Sequence, residues 1–221
     1  FANIAGPLGN PTHIGVPGKA DDFRGVVACV AGGIGAAPML PIARAFHDAG
    51  HEVVTVLGAR RKDLIVFEDR LGSVSSELLV CTDDGSYGQK GFVTDVLRGL
   101  IERRRAAGGD VDVAIAIGPP LMMKFCSKTT EPYRVPTLVS LNTIMVDGTG
   151  MCGGCRVMVG GAARYVCVDG PEFDGHQVDF DGMMRRQAMY KPEEAASLAR
   201  YREKNHTCRL EVPPAAAERT S

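Results

Sequence analysis

The stretch "GVVACVAGGIGAAPMLPIARAFHDAG", residues 25–50, decides the fold class. Its first part, "GVVACVAGG" (25–33), is a short apolar run ending in glycines, the pattern of a strand buried on both faces. Its second part, "APMLPIARAFHDAG" (37–50), carries apolar residues at helical spacing and sets Gly50 where a helix would stop. A buried strand, a glycine turn and a helix form the opening of a strand–helix–strand unit.

The unit repeats downstream. "EVVTVLGAR" (52–60) reads as a strand, "DLIVFEDRLG" (63–72) as a short helix and "ELLVCTDDG" (77–85) as a strand. "FVTDVLRGLIERRRAAG" (92–108) reads as a helix, "DVAIAIGPP" (112–120) as a strand, "LMMKFCSKTT" (121–130) as a helix and "VPTLVSL" (135–141) as a last strand. Apolar runs of strand length alternating with helices predict an α/β fold with a parallel sheet covered on both faces.

Composition narrows the function classes. The chain has 221 residues, 45% hydrophobic and 23% charged, with a formal net charge of −1. A field that weak recruits neither nucleic acid nor an anionic membrane, so neither is expected as a partner. Arg103, Arg104 and Arg105 form the tightest basic run, at a predicted helix end, where a solvated role alongside the helix dipole is expected. No apolar stretch is long enough to span a bilayer. Seven cysteines, four of them scattered (Cys29, Cys81, Cys126, Cys208), are not a disulfide framework, so a reducing cytoplasm is expected. The five histidines, His13, His47, His51, His176 and His206, sit in no triad-like setting, and surface or packing roles are expected of them.

Four segments follow from these patterns. Residues 1–22 form a Gly/Pro-rich connector, and 23–141 the nucleotide-binding domain. Residues 142–191 form a small cysteine domain of glycine-broken pieces, and 192–221 a polar tail. "RRQAMYKPEEAASLARYREKN" (185–205) reads as helix interrupted near Pro192, with "PPAAAERTS" frayed beyond it.

Open parallel sheets bind ligands beyond the carboxyl ends of their strands, and the glycine-bearing loops fall there. "AGGIGAAP" follows the first strand as G-x-G-x-x-P, one residue type away from the dinucleotide fingerprint. Gly32, Gly33 and Gly35 would let backbone approach a pyrophosphate, with Ala36 and Pro38 opening the helix. Gly58 and Arg60 end the second strand, Asp83 and Asp84 the third, and Gly118, Pro119 and Met122 follow the fourth. The alternatives are helix packing for Met122 and Met123, and loop solvation for Asp83 and Asp84. The second strand ends in Arg60-Arg61 with no acid, which by the general rule leans to NADP(H) over NAD(H).

The second motif is "MVDGTGMCGGCRVMVGGAARYVCVDG", residues 145–170. Its spacing is Asp147-x4-Cys152-x2-Cys155-x11-Cys167, and a cysteine in place of Asp147 would make it the plant-type [2Fe–2S] pattern. Gly148, Gly150, Gly153 and Gly154 suit a loop whose amides turn toward sulfur. "RVMV" and "ARYVC" flank Gly160-Gly161, a favoured two-residue hairpin turn. Pairing Val159 with Ala162 sets Cys155 opposite Val166 and Cys167 opposite Gly154, within reach of one metal centre. Zinc held by three cysteines and an aspartate is the alternative. Asp147 is the expected fourth ligand; the alternative is a surface turn residue, with Cys208 or Asp169 supplying the fourth donor.

"SLNTIMVDGTGMCGGCRV", "YVCVDGPEFDGHQVDFDGMMRRQAMY", "GGIGAAPMLPIARAF" and "TDDGSYGQKGFVTD" together resemble the small subunit of NADH-dependent reduced ferredoxin:NADP oxidoreductase, also called the sulfide dehydrogenase beta subunit. More distantly the chain is similar to the electron-transfer subunit of dihydroorotate dehydrogenase. The likeness runs over about residues 5–191. It implies a ferredoxin-reductase-like fold: an FAD-binding β-barrel, an NAD(P)-binding domain and a small [2Fe–2S] domain. It implies cluster ligation by Asp147, Cys152, Cys155 and Cys167, the aspartate marking this branch where the dihydroorotate branch has cysteine. It implies a nucleotide site on Gly33, Gly35, Pro38, Arg60, Asp84 and Gly118, and NAD(H) as its nucleotide. The barrel would precede "GPLGNPT", so this sequence is expected to be a piece of a longer flavoprotein. A heterodimer with a larger flavin/iron–sulfur subunit, serving ferredoxin, is the implied setting. Two rival readings are the dihydroorotate dehydrogenase partner and a non-catalytic, zinc-stabilised nucleotide-binding module.

Overall fold

A computed structural model describes residues 6–203 of the chain. Strand β1 (Val26–Gly32) is buried from its second residue onward and lies at the centre of the sheet. It is flanked in parallel by β2 (Glu52–Ala59) and β5 (Val113–Ile117). β3 (Glu77–Thr82) and β4 (Gln89–Lys90) extend the sheet past β2, and β6 (Thr137–Ser140) extends it past β5, all in parallel. The seventh strand, β9 (Glu172–Asp174), comes from beyond the cysteine motif and pairs antiparallel with β6. The order is β4-β3-β2-β1-β5-β6-β9. The expected parallel sheet is therefore mixed at one edge.

Alternate residues of β1 feed two apolar clusters. Val27, Cys29 and Ala31 pack with Met39, Phe46 and Leu71 under α1 (Ala36–Asp48) and α2 (Glu68–Gly72). Ala28 and Val30 pack with Leu97, Leu100, Ile101 and Met123 under α3 (Val93–Ala106) and α4 (Pro120–Thr130). The two-residue period of a strand thus divides one run of small apolar residues between two helical layers.

The end of α1 is built as its sequence predicts. Gly50 adopts φ +88, its N–H donates to the His47 carbonyl at 2.9 Å, and the His51 N–H reaches the Phe46 carbonyl at 3.1 Å. These are the two bonds of a Schellman C-cap, and its usual apolar contact is present. The His51 ring meets Phe46 edge-on, with centroids 5.2 Å apart. His51 Nδ1 accepts from the Gly25 N–H at 3.3 Å, so this buried ring serves as a neutral acceptor.

Two expectations need correction. Residues 63–72 do not form one helix: a 3-10 turn at Lys62–Leu64 is separated from α2 by extended Ile65 and by Phe67 at φ +62. Burying Ile65, Val66 and Phe67 against the α1 layer outweighs helix continuity. The arginine run is not simply solvated either. Arg103 pairs with Glu77 at 2.6 Å, Arg104 with Glu52, and Arg105 with Asp110 at 2.9 Å, tying the end of α3 to the starts of β3, β2 and β5.

The cysteine segment opens with a hairpin, β7 (Arg156–Val159) and β8 (Ala162–Tyr165), in the predicted register of Val159 with Ala162. A single helical turn, α5 (Val166–Asp169), follows, and α6 (Phe180–Gln187) comes after β9. Cys155, Val157, Val166, Cys167, Phe173 and Phe180 belong to the same apolar cluster as the α3 and α4 layer. By its internal contacts the chain divides after Met184. The second unit contains α7 (Lys191–Glu203), whose Pro192 stands in the first turn, where a missing N–H costs nothing. Among the described residues no helix is long and apolar enough to cross a membrane.

At the centre of the sheet the turn after β1 touches the end of β5. A side chain at Gly35 would place its Cβ 2.2 Å from the Ile117 carbonyl oxygen. Gly35→Ala is expected to destabilise the protein by about 1–3 kcal/mol in urea unfolding, because backbone must move. An unchanged midpoint would show that the turn has slack. His51 predicts a pH effect. Burial first, then Arg24, lowers its pKa in the folded chain. Its contribution is complete above the unfolded value of about 6.5 and is lost as pH falls through the folded value. The fall in urea midpoint between about pH 7.5 and about pH 5.5 should be smaller in His51→Phe than in the wild type. An equal fall in both would remove His51 from the acid sensitivity.

Candidate functional site

The carboxyl ends of β1, β2, β3 and β5 carry the predicted nucleotide loops on one edge. β2 lies to one side of β1 and β5 to the other, so the crevice between β1 and β5 is the switch point of the sheet. After β1, Gly33–Gly35 makes a 3-10 turn that leads straight into α1, with Ala36 at its first position and Pro38 in its first turn. Gly33 has φ +55 and open space around it, whereas Ile34 beside it is 81% exposed. An exposed glycine turn facing the N–H groups of a helix start is an anion cradle.

The other glycines of the edge are required by packing as well. A Cβ at Gly32 would lie 2.3 Å from Met122 Sδ, and one at Gly118 would lie 2.9 Å from Met122 Cε. Met122 thus fills the floor of the crevice between the two strand ends, the packing role open to it from its sequence. Pro119 caps the start of α4 and is exposed. A Cβ at Gly58 would collide with Val93 of α3 at 2.2 Å, so its absence lets α3 close on β2. Val93 is not legible from the sequence as the partner of Gly58.

On the adenosine side, Arg60 is exposed at the end of β2. The Asp83 and Asp84 N–H groups donate to the Ala59 and Arg60 carbonyls at 3.1 and 3.2 Å, holding the two loops together. Thr82 Oγ1 donates to the Tyr87 carbonyl at 2.7 Å and closes the loop after β3. Asp84 Oδ1 accepts from the Ser86 N–H at 2.9 Å, and Ser86 Oγ accepts from the Lys62 N–H at 2.9 Å. Hydrogen bonds from Ser86 hold the Asp84 carboxyl below the usual range. Arg61, Lys62, Asp63, Ile65, Asp84 and Ser86 line a cavity of about 650 Å³. Arg61 is already engaged with Asp63 at 2.8 Å. Thr82 and Ser86 were not legible as site residues, since a serine and a threonine in a loop carry no periodic signal.

In the cysteine loop the structure brings two of the four expected ligands together. The Cys155 and Cys167 sulfurs lie 3.2 Å apart and are buried. The hairpin delivers this contact with one change from the expected register. The Val166 N–H still reaches the Cys155 carbonyl at 3.3 Å, but the chain then coils into α5. Cys167 therefore faces Cys155 and not Gly154. The Asp169 carboxylate accepts from the Tyr165 N–H at 2.7 Å and stabilises that coil.

Cys152 is exposed on the same loop, and its sulfur accepts from the Gly154 N–H at 3.4 Å. Asp147 turns its carboxylate onto its own loop, accepting from the Thr149 N–H at 2.7 Å and the Cys152 N–H at 2.8 Å. These bonds hold its pKa below the ordinary carboxylate range. Among the described residues no three His, Cys, Asp or Glu side chains converge as a metal-binding group. Cys208 lies outside the described residues.

The donors nevertheless fit an iron–sulfur centre. Gly148, Gly150 and Gly153 all adopt positive φ, which lets the loop wrap tightly. Burial, then the bond from Cys155, raises the Cys167 pKa, while the Gly150 amide acts the other way. Two buried sulfurs this close offer a pair of soft donors to a single centre. Soft sulfur donors with amides aimed at them suit iron–sulfur ligation. Thr143 Oγ1, on the approach to the loop, is buried without a partner among the described residues.

Comparison with known proteins finds a match for each of these two regions. Residues 29–128 match the oxidoreductase NAD-binding domain, and residues 142–179 match the iron–sulfur cluster binding domain of dihydroorotate dehydrogenase B. A Thermotoga maritima protein named as a homologue of the electron-transfer subunit of dihydroorotate dehydrogenase B (NAD(+)) is 47% identical, over 90% of this chain and 66% of its own length. A probable electron-transfer subunit of the same enzyme from Methanopyrus kandleri is 37% identical, over 86% of this chain and 67% of its own. The fold also superposes on a solved chain of the NADH-dependent reduced ferredoxin-NADP oxidoreductase, with a TM-score of 0.78 and 46% identity, over 90% of this chain and 68% of that one. The chain thus spans about two thirds of the length of these relatives. With an NAD-binding domain followed by an iron–sulfur binding domain, and a relative of 37% identity matched over 67% of its length, the chain belongs to the family of dihydroorotate dehydrogenase B electron-transfer subunits.

Proposed function

We propose that this chain works as the electron-transfer part of a cytoplasmic flavin/iron–sulfur oxidoreductase. It binds NAD(H) on the sheet edge and carries a [2Fe–2S] cluster on the cysteine loop. The observation that carries the reading is the shared core. The apolar cluster that supports the β1–β5 crevice also buries Cys155 and Cys167, so one compact unit holds both sites.

Each element has a role in this chemistry. The turn at Gly33–Gly35 and the start of α1 bind the pyrophosphate, and Ala36 and Pro38 shape the opening of that helix. Gly58, Arg60, Asp83 and Asp84 frame the adenosine side, while Gly118, Pro119 and Met122 form the floor. The Arg60-Arg61 ending leans to NADP(H), but Arg61 is occupied by Asp63, and Asp84 in the same cavity disfavours a 2′-phosphate. This supports NAD(H). A [2Fe–2S] cluster, when bound, supplies one-electron storage, and Asp147, Cys152, Cys155 and Cys167 would hold it. Nicotinamide gives up two electrons as hydride, so FAD is needed to split the pair. The 46% likeness to a chain of the ferredoxin-NADP oxidoreductase favours a larger flavin/iron–sulfur partner and ferredoxin as the onward route. The names of the dihydroorotate dehydrogenase relatives favour that enzyme's catalytic subunit as a second reading.

Variants of the loop test the ligand set. Cys155→Ala is expected to abolish cluster assembly, read as loss of visible absorption and of bound iron. Asp147→Cys is expected to keep a cluster with altered optical bands and midpoint potential. A normal cluster in Cys155→Ala contradicts the ligand set, and an Asp147→Cys protein indistinguishable from wild type removes Asp147 from it.

A further inference from the structure

Residues 8–12 read in sequence as connector, yet they are clasped to the cysteine segment at several points. A Cβ at Gly148, next to Asp147, would lie 2.8 Å from Leu8 Cδ1, so Leu8 rests against bare backbone there. Gly9, at φ +74, approaches so closely that its own Cβ would lie 2.2 Å from the Gly170 carbonyl oxygen. The Asn10 N–H donates to that carbonyl at 2.6 Å, and Asn10 Nδ2 donates to the Asp169 carbonyl at 2.9 Å. Thr12 Oγ1 donates to Glu172 Oε1 at 2.6 Å, and burial raises the pKa of that carboxyl.

The contacts fall on both arms of the loop. Leu8 touches the arm carrying Asp147, and Gly9 and Asn10 hold the arm just past Cys167. Asn10 spends both a backbone and a side-chain donor on consecutive carbonyls, which fixes the strap in register and direction. A glycine at position 9 is required twice over, by its φ and by the approach to Gly170.

We infer that residues 8–12 form a positioning strap that sets the separation of the Asp147 arm and the Cys167 arm, and through it the electronic environment of the cysteine centre. This rests on the electron-transfer reading above for its consequence, though the mechanical coupling does not. Hydrogen bonds to ligating sulfur and the placement of the ligands tune such a centre, so slack in the strap should be read out at the centre itself. None of the strap residues is a donor to it.

The test compares Asn10→Ala, Asn10→Asp and Gly9→Ala with wild type in the protein as it exists, with Lys19→Ala as a connector control. Two readouts are taken: hydrogen exchange of the Thr149 and Cys152 amides, and the electron paramagnetic resonance spectrum and midpoint potential of the reduced centre. Asn10→Ala and Gly9→Ala should raise exchange at those amides by about tenfold and shift both spectrum and potential. Asn10→Asp also keeps the backbone bond, but it sets a carboxylate against the Asp169 carbonyl, and should change exchange, spectrum and potential at least as much as Asn10→Ala. Lys19→Ala should leave all three unchanged. Wild-type exchange, spectrum and potential in Asn10→Ala would overturn the strap, whether or not Gly9→Ala folds. A wild-type protein without a cluster would overturn the electron-transfer reading, and the exchange data would still decide the strap.

Discussion

The structure depends on burying two thiols in the wall of a parallel sheet. Cys155 and Cys167 lie in the apolar cluster that covers one face of β1, β2 and β5, beside the side chains of α3 and α4. That placement makes the cysteine loop an extension of the nucleotide-binding sheet, with β9 hydrogen-bonded to β6 as the seam. A redox loop hung on a flexible tether would hold its centre at no fixed distance from the nucleotide. Here the same hydrophobic burial that stabilises the sheet holds the thiols. The position that makes the loop rigid therefore also holds two soft sulfur donors 3.2 Å apart.

The nucleotide edge follows from a second constraint, close approach of backbone. Gly35 against Ile117, Gly58 against Val93 and Gly32 against Met122 leave no room for a side chain. Only Gly33 of the first turn is open and at positive φ, and it is the residue free to face a ligand. Glycines that read as one fingerprint therefore divide between those that packing requires and one that stays open. The adenosine side is organised by polar bonds instead, with Asp84, Ser86 and Lys62 joining the loops after β3 and β2.

Much of this was legible in the sequence wherever a local rule had no competitor. The strand parity of "VVACVAG", the C-cap at Gly50 and the hairpin register set by Gly160-Gly161 each have one cheap solution, and the chain adopts it. The misses share a cause in tertiary contact. Ile65 and Val66 break an otherwise helical run because the α1 layer offers them burial. Glu172–Asp174 is too short to show alternation and becomes a strand because β6 has an open edge. The arginines at the end of α3 look like solvated charge until Glu52, Glu77 and Asp110 are placed around them. Spacing and resemblance single out Asp147, but neither shows the loop bonds its carboxylate accepts from Thr149 and Cys152.

The central claim is that the buried thiol pair belongs to an iron–sulfur centre. It is tested most directly by anaerobic purification of this chain with metal and sulfide analysis, followed by electron paramagnetic resonance before and after dithionite. The account predicts iron and acid-labile sulfide in equal amounts, a coloured protein that is silent when oxidised, and a spin-half signal on reduction. A colourless protein holding zinc without sulfide would contradict it and leave a nucleotide-binding domain with a structural metal.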